Sequence, residues 1–234
     1  RIFPKIAGIV LLLAVAGGAA VSAQYIWPRF LQTAEETVGK VAEQASEQGT
    51  GFPELTVTEE EVADDFYCQQ LTERERMIYR EILLGVNSME EMVKIHATEE
   101  DDVGKIYEYL LYDHPELFWC AGNTSLTIYN EYTELTPGYT CSSQEKEERQ
   151  SRIDAAAQEC LSGIDSGASD YEKIKYVFEY IVNTVDYDEN ASDNQNIYSS
   201  MVGKSSVCAG YSRMAQYLLT QMGIPCIYVI GEIE

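Results

Sequence analysis

Three times along this chain a serine or threonine is followed three positions later by a glutamate, at the head of a run of apolar residues with helical spacing. The blocks are Thr72-Glu73-Arg74-Glu75, Ser142-Ser143-Gln144-Glu145 and Ser169-Asp170-Tyr171-Glu172. The hydroxyl and the carboxylate of such a block each satisfy a backbone N–H that a helix start leaves without a partner, so each block fixes where a helix begins. Behind the first, Met77, Ile78, Ile82 and Leu83 form the apolar face, and behind the second Ile153, Ala156, Ala157, Cys160 and Leu161 do so, up to a stop at Gly163. The third carries a stripe of Ile174, Val177, Phe178, Ile181, Val182 and Val185.

The rest of the chain is read against these three helices. The alternation around Leu55, Val57 and Thr58 leads into the first of them. A further helix is expected from Thr98, with Val103, Ile106, Tyr107 and Leu110 inward and an end before His114-Pro115. Leu117, Phe118 and Trp119 read as a buried extended piece, Leu126 to Tyr132 as a strand, and Pro137-Gly138 as a turn. Residues 55–141 thus form a small α+β module. After the third capped helix, Asp188 to Asn194 is an acidic loop and Asn196 to Val202 a short helix. Cys208 opens a longer helix through Met214, Leu218 and Leu219 to a stop at Gly223-Ile224-Pro225, and Cys226 to Ile230 reads as a strand.

Charge narrows the function classes. With 39 acidic against 16 basic residues and a net charge of −23, the chain is a poor partner for nucleic acid or for anionic lipid. Hydrophobic residues make up 45%, which is enough for a core and sets the chain apart from disordered acidic polypeptides. From Ile6 to Pro28 no side chain is charged, Arg1 and Lys5 precede the run, and Tyr25 and Trp27 sit at its far edge. A helix of that length crosses a hydrocarbon core of about 30 Å with its N-terminus in the cytoplasm. Residues 1–28 are therefore expected to be a transmembrane anchor, with everything after them on the extracytoplasmic side. A cleaved signal ending at Val21-Ser22-Ala23 is the alternative, and it gives a secreted protein.

Residues 29–54 space Leu31, Ala34, Val38, Ala42 and Ala45 along a thin helical face and break at Gly49, Gly51 and Pro53, as a stalk would. The start at Arg1, and Glu234 falling inside an expected strand, read as a piece of a longer protein. The six cysteines lack a CxxC spacing, which argues against a zinc ribbon. If any pair is bridged it is Cys120 with Cys141, which flank the expected strand region; otherwise they are small buried hydrophobes.

One segment carries chemistry. In Gly203-Lys204-Ser205-Ser206-Val207-Cys208-Ala209-Gly210-Tyr211 a cysteine stands where a Gly/Ser-rich loop turns into an amphipathic helix. Free N–H groups and the macrodipole at a helix start favour an anion, so a thiol in that position makes a better nucleophile. The same N–H groups can hold the oxyanion formed when a thiolate attacks an acyl carbon. Small Ala209 and Gly210 are expected to leave room for a substrate. The plain alternative is a buried core cysteine.

The order of blocks from Ser169 to Glu234 resembles the first half of the transglutaminase-like (papain-like cysteine) core. It runs through Tyr180-Ile181-Val182, Val185-Asp186-Tyr187-Asp188, Val207-Cys208-Ala209-Gly210-Tyr211-Ser212, Leu218-Leu219, Gly223-Ile224-Pro225-Cys226 and Tyr228-Val229-Ile230-Gly231. The resemblance implies an α+β fold whose helical half and first strand occupy residues 142–234. It also implies that Cys208 is the catalytic residue that attacks an amide carbonyl of a protein or cell-envelope peptide, without metal or cofactor. A His and an Asp on later strands assist that cysteine in the family, and no histidine follows Cys208 here. Those partners are expected beyond Glu234, which would leave this stretch inactive alone. His96 and His114 lie upstream and read as ordinary exposed or capping histidines.

Other motifs fail on inspection. Gly203-Lys204-Ser205 has Tyr198 where a phosphate loop needs glycine, and the calcium-loop start at Asp186 has Ala191 at the glycine and Ile197 at the glutamate position. Exported cell-wall amidases also place glycine after a cysteine, usually in an Asp-Cys-Ser-Gly pattern that Val207-Cys208-Ala209-Gly210 does not follow. Tyr107, Tyr109, Tyr112, Phe118, Trp119, Tyr129 and Tyr132 make the upstream module aromatic, and core packing is the expected use. A non-catalytic surface module that keeps the fold for binding is the rival to an enzyme.

Overall fold

The computed structural model describes residues 51–231. The expected anchor over 1–28 and most of the stalk over 29–54 lie outside the described residues. Among the described residues no helix is long and apolar enough to cross a membrane.

All three capping boxes form. Helix α1 (Glu73–Asn87) starts with Thr72 Oγ1 accepting from the Glu75 N–H and Glu75 Oε2 accepting from the Thr72 N–H. Strand β1 (Val93–Ile95) follows, then α2 (Val103–Asp113). The second of these helices begins five residues after Thr98. Thr98 caps a separate turn closed on the Asp101 carboxylate, and the Asp102 side chain accepts from the Lys105 N–H to start the helix proper.

Strands β2 (Cys120–Ile128) and β3 (Thr133–Tyr139) complete an antiparallel sheet in the order β1-β3-β2. Two expectations fail here. The chain reverses at Tyr129–Tyr132, where the Tyr129 N–H bonds the Tyr132 carbonyl, and Pro137-Gly138 lies inside β3 rather than in a turn. Leu117, Phe118 and Trp119 are buried as expected, but in a turn rather than an extended segment.

Helix α3 (Ser143–Ser162) starts on the Ser142/Glu145 box and α4 (Asp170–Thr184) on the Ser169/Glu172 box. The two-residue strands β4 (Asp186–Tyr187) and β5 (Ser205–Ser206) pair in parallel, and α5 (Cys208–Gln221) follows directly. Left-handed Gly223, at φ +73°, ends it, with the Gly223 and Ile224 N–H groups turned back on Thr220 and Leu219. Cys226 to Ile230 forms no strand among the described residues. The apolar stripe of α4 is wider than its contact. Val177 and Ile181 are buried, with Val185 just past the helix end, while Ile174, Phe178 and Val182 remain exposed.

One apolar core runs through both halves. It joins Ile82, Ile106 and Leu135 upstream to Ile153, Val177, Met214 and Leu218 downstream. Trp119 anchors the junction by donating its indole N–H to the Val86 carbonyl at 2.9 Å, under the Lys146 ammonium at 3.7 Å from its ring centre. The six cysteines are free thiols. Cys120 faces Tyr139 across the ladder, and Cys141, two residues further on, is not bridged to it.

Candidate active site at the start of helix α5

Cys208 is the first residue of α5 and the one exposed thiol of the six. The reason lies in the segment before it. A single π-helical turn over Ser199–Gly203 ends at Lys204, whose left-handed backbone (φ +54°) turns the chain out of the helix. Lys204 and Ser206 are gripped by strand β4 and the residue after it, since the Asp186 N–H bonds the Lys204 carbonyl and the Asp188 N–H bonds the Ser206 carbonyl, both at 2.9 Å. Val207 is extended and offers no side-chain cap. The chain therefore enters α5 at a fixed angle with a bare first turn. The N–H groups of Cys208, Ala209 and Gly210 meet no acceptor among the described residues, and the first helical bond is from Tyr211 to the Val207 carbonyl.

That bare start sets α5 apart from the other four helices, each of which has a Thr, Asp or Ser side chain on its first turn. Unsatisfied N–H groups beside an exposed sulfur are what an anionic nucleophile and a developing oxyanion both require.

A buried polar network, which the sequence reading missed, supports the turn from behind. Ser206 Oγ donates to the Asn194 carbonyl and pairs with Ser199 Oγ, both at 2.7 Å, and the Ser199 hydroxyl also reaches the Asn196 carbonyl. Asn196 Oδ1 accepts from the Tyr198 and Ser199 N–H groups, while its Nδ2 donates to the Phe118 carbonyl in the upstream module. An Asn just before a helical turn is a legible capping signal. Its link to Phe118 is not. Gly210 fits into this network rather than opening the site: it is buried, and a Cβ there would meet Ser206 Oγ at 1.9 Å. Only Ala209 faces open space, as part of the wall of a cavity of about 460 Å³.

The cavity lies between the two halves of the chain. Phe118 and Ala121 contribute one side, and Asn194, Ala209, Arg213 and Tyr228 the other. Arg213 was not foreseen from the sequence either; it donates to the Leu111 carbonyl at 2.7 Å and lies over the Tyr228 ring at 4.9 Å.

Neither upstream histidine serves Cys208. His96 Nδ1 is held by the buried carboxylate of Glu81. His114 Nδ1 pairs with Glu116 at 2.7 Å, and its Nε2 lies 3.1 Å from Asp65 in an ionic contact without hydrogen-bond alignment. Burial opposes the charge on His114, but the two carboxylates prevail and raise it to about 10. It is a structural cation. Among the described residues no side chain hydrogen-bonds the Cys208 sulfur, and no group of His, Cys, Asp or Glu is placed to hold a metal ion.

Comparison with curated proteins gives no match. The family model described as the Transglutaminase-like superfamily does match, over residues 154–234. The stretch that contains α4, the Ser199–Ser206 turn and Cys208 at the head of α5 is thus a transglutaminase-like core.

Proposed function

We propose that Cys208 is the nucleophile of a thiol-dependent acyltransferase or amide hydrolase that acts on protein or cell-envelope peptide. The observation that carries this reading is an exposed thiol at a helix start whose first-turn N–H groups are free. The Cys208 thiolate adds to an amide carbonyl, and the oxyanion is held by those N–H groups. The C–N bond then breaks, the amine leaves with a proton from a general acid, and a thioester remains. Water resolves the thioester to a carboxylic acid, or a second amine resolves it to a new amide. Residues 1–28 place this chemistry outside the membrane in the same proposal, as a single-pass anchor or a cleaved signal.

The rival reading is a binding or scaffolding module that keeps the fold without turnover. Another papain-like amidase family is the enzymatic alternative. The catalytic reading requires a His on the second strand after Cys208 and an Asp further on in the full-length sequence.

The test is to incubate the full-length protein with a glutamine-centred peptide, quench in acid, and weigh the Cys208 tryptic fragment. A thioester adduct on wild type, absent in Cys208→Ala, supports the enzyme. No adduct, with amide turnover unchanged in Cys208→Ala, sinks it.

A further inference from the structure

A second cavity, of about 440 Å³, lies where residues 223–227 pass the start of the upstream module. The Tyr67 hydroxyl ties the two sides together by donating to the Tyr228 carbonyl at 2.6 Å. Apart from the Thr220 hydroxyl and the Cys226 thiol, the polar side chains on its wall present acceptors. Asp64, Asp65 and Asp113 come from upstream and Gln216 from α5, and no lysine or arginine lines it. Gln216 is 4% exposed; its Nε2 donates to the Tyr112 carbonyl at 2.8 Å, and its Oε1 has no donor among the described residues. That orientation is fixed, because a carbonyl only accepts and a flipped amide would set two oxygens together. The carboxylates are short of donors as well. Asp65 Oδ2 and Asp113 Oδ2 converge on the Tyr79 hydroxyl, at 3.2 and 3.1 Å, and that group has one proton to give. His114, 3.1 Å from Asp65, offsets one of the three negative charges. Burial raises the Asp113 carboxyl even though the Tyr67 and Cys68 N–H groups oppose the shift.

We propose that this cavity binds a primary alkylammonium, with Gln216 Oε1, Asp65 and Asp113 around the charged head and Phe66, Ile224 and Pro225 along the stem. The acceptors select the head. An ammonium brings three donors and no acceptor, and it balances the surplus negative charge. A guanidinium fork needs both oxygens of one carboxylate. Both Asp113 oxygens already accept from the Tyr67 and Cys68 N–H groups, and Asp65 Oδ2 faces Tyr79 and His114. Single acceptors from separate elements suit the compact, rotatable donors of an ammonium instead. Among the described residues no group of His, Cys, Asp or Glu is placed to hold a metal ion, which leaves an organic cation. A lysine side chain and a free aliphatic amine share this head. The site is independent of the role of Cys208.

Calorimetry on the full-length protein in about 0.15 M salt, which screens the general acidity of the surface, tests this and separates the two sources. The probes are Nα-acetyl-lysine N-methylamide, its neutral Nε-acetylated twin and n-butylammonium chloride. The lysine amide should bind at least about tenfold tighter than its twin, as expected for charge-assisted bonds. Butylammonium binding as tightly as the lysine amide assigns the site to free amines, and weaker binding assigns it to lysine side chains; both uphold the ammonium site. Gln216→Met, close in shape but without the unpartnered oxygen, should lower the affinity about tenfold. Asp64→Asn, at an exposed carboxylate on the cavity wall, should lower it about threefold and carries the test if the first variant fails to fold. Equal affinities for the lysine amide and its twin, no binding of either ammonium, or an affinity unchanged in the folded variant overturns the site.

Discussion

Gly210 and Ser206 stand so close that a methyl group on the glycine would meet the serine Oγ at 1.9 Å. Ser206 cannot simply move aside, because its hydroxyl is fixed by the Asn194 carbonyl and Ser199 Oγ, and the Asn196 carbonyl waits at 3.1 Å. Gly210→Ala should therefore destabilise the protein by about 1–3 kcal/mol, the usual range for overpacking. Adding Ser206→Ala should recover only part of that loss, since the Ser206 Cβ at 3.0 Å and the Asn196 carbonyl remain. Urea midpoints of the two single variants and the double variant provide the cycle. Full additivity would mean that the two residues do not share this contact.

The six thiols should differ sharply in reactivity. Burial pushes Cys160 up to about 11, raises Cys226, and takes Cys68 and Cys120 to about 12, whereas Cys208 is exposed at a bare helix start. Iodoacetamide at pH 6 to 8 should label Cys208 first in the folded full-length protein, at least tenfold faster than Cys160 or Cys226. Peptide mapping after short exposures measures this. Labelling of Cys226 at the same rate as Cys208 would contradict the assigned nucleophile.

What could be read from the sequence is what is local. The boxes at Thr72, Ser142 and Ser169 are complete within four residues, so their chemistry needs no tertiary context. Pro137-Gly138 shows the opposite case. β1 pairs with β3 only as far as Leu135, so one side of β3 is open at Pro137 and its missing N–H costs no bond on that side. Gly138 is required by close approach, since a Cβ there would lie 2.8 Å from the Asn123 carbonyl beside the irregularity in β2. Both residues carry turn chemistry in sequence and a different constraint in the sheet. At the site, Cys208 was legible because a loop, a thiol and a helix start are neighbours in the chain. The links of Ser206, Asn196 and Arg213 to Asn194, Phe118 and Leu111 were not, because packing sets those partners.

Asn196 gives that packing a test. Its Oδ1 caps the turn before Cys208 and its Nδ2 reaches Phe118 O at 3.3 Å, so two variants separate the roles. Asn196→Ala should cost about 1–2 kcal/mol through the lost cap. Asn196→Asp keeps the acceptor, loses the donor, and should cost less. Amide exchange at Tyr198 and Ser199 should accelerate in the alanine variant alone. Equal acceleration in both would place the constraint at Phe118 instead of the cap.

His114 sets the response to alkali. Its folded pKa of about 10 lies above the unfolded value near 6.5, despite the opposing effect of burial, because Asp65 and Glu116 hold the proton. A raised folded pKa contributes stability that is fully present below about 6.5 and is lost as pH rises through about 10. His114→Gln should therefore be less stable than wild type at pH 6, by about 3 kcal/mol or more, because Asp65 is left part-buried without its cation. The gap should narrow steadily toward pH 10, where the wild-type ring is losing its proton as well. Unfolding midpoints of the two proteins in urea, taken between pH 6 and 10, read this directly. A gap that stays constant across the window would mean that the ring is neutral in the folded protein and that Asp65 and Glu116 do not hold a cation between them.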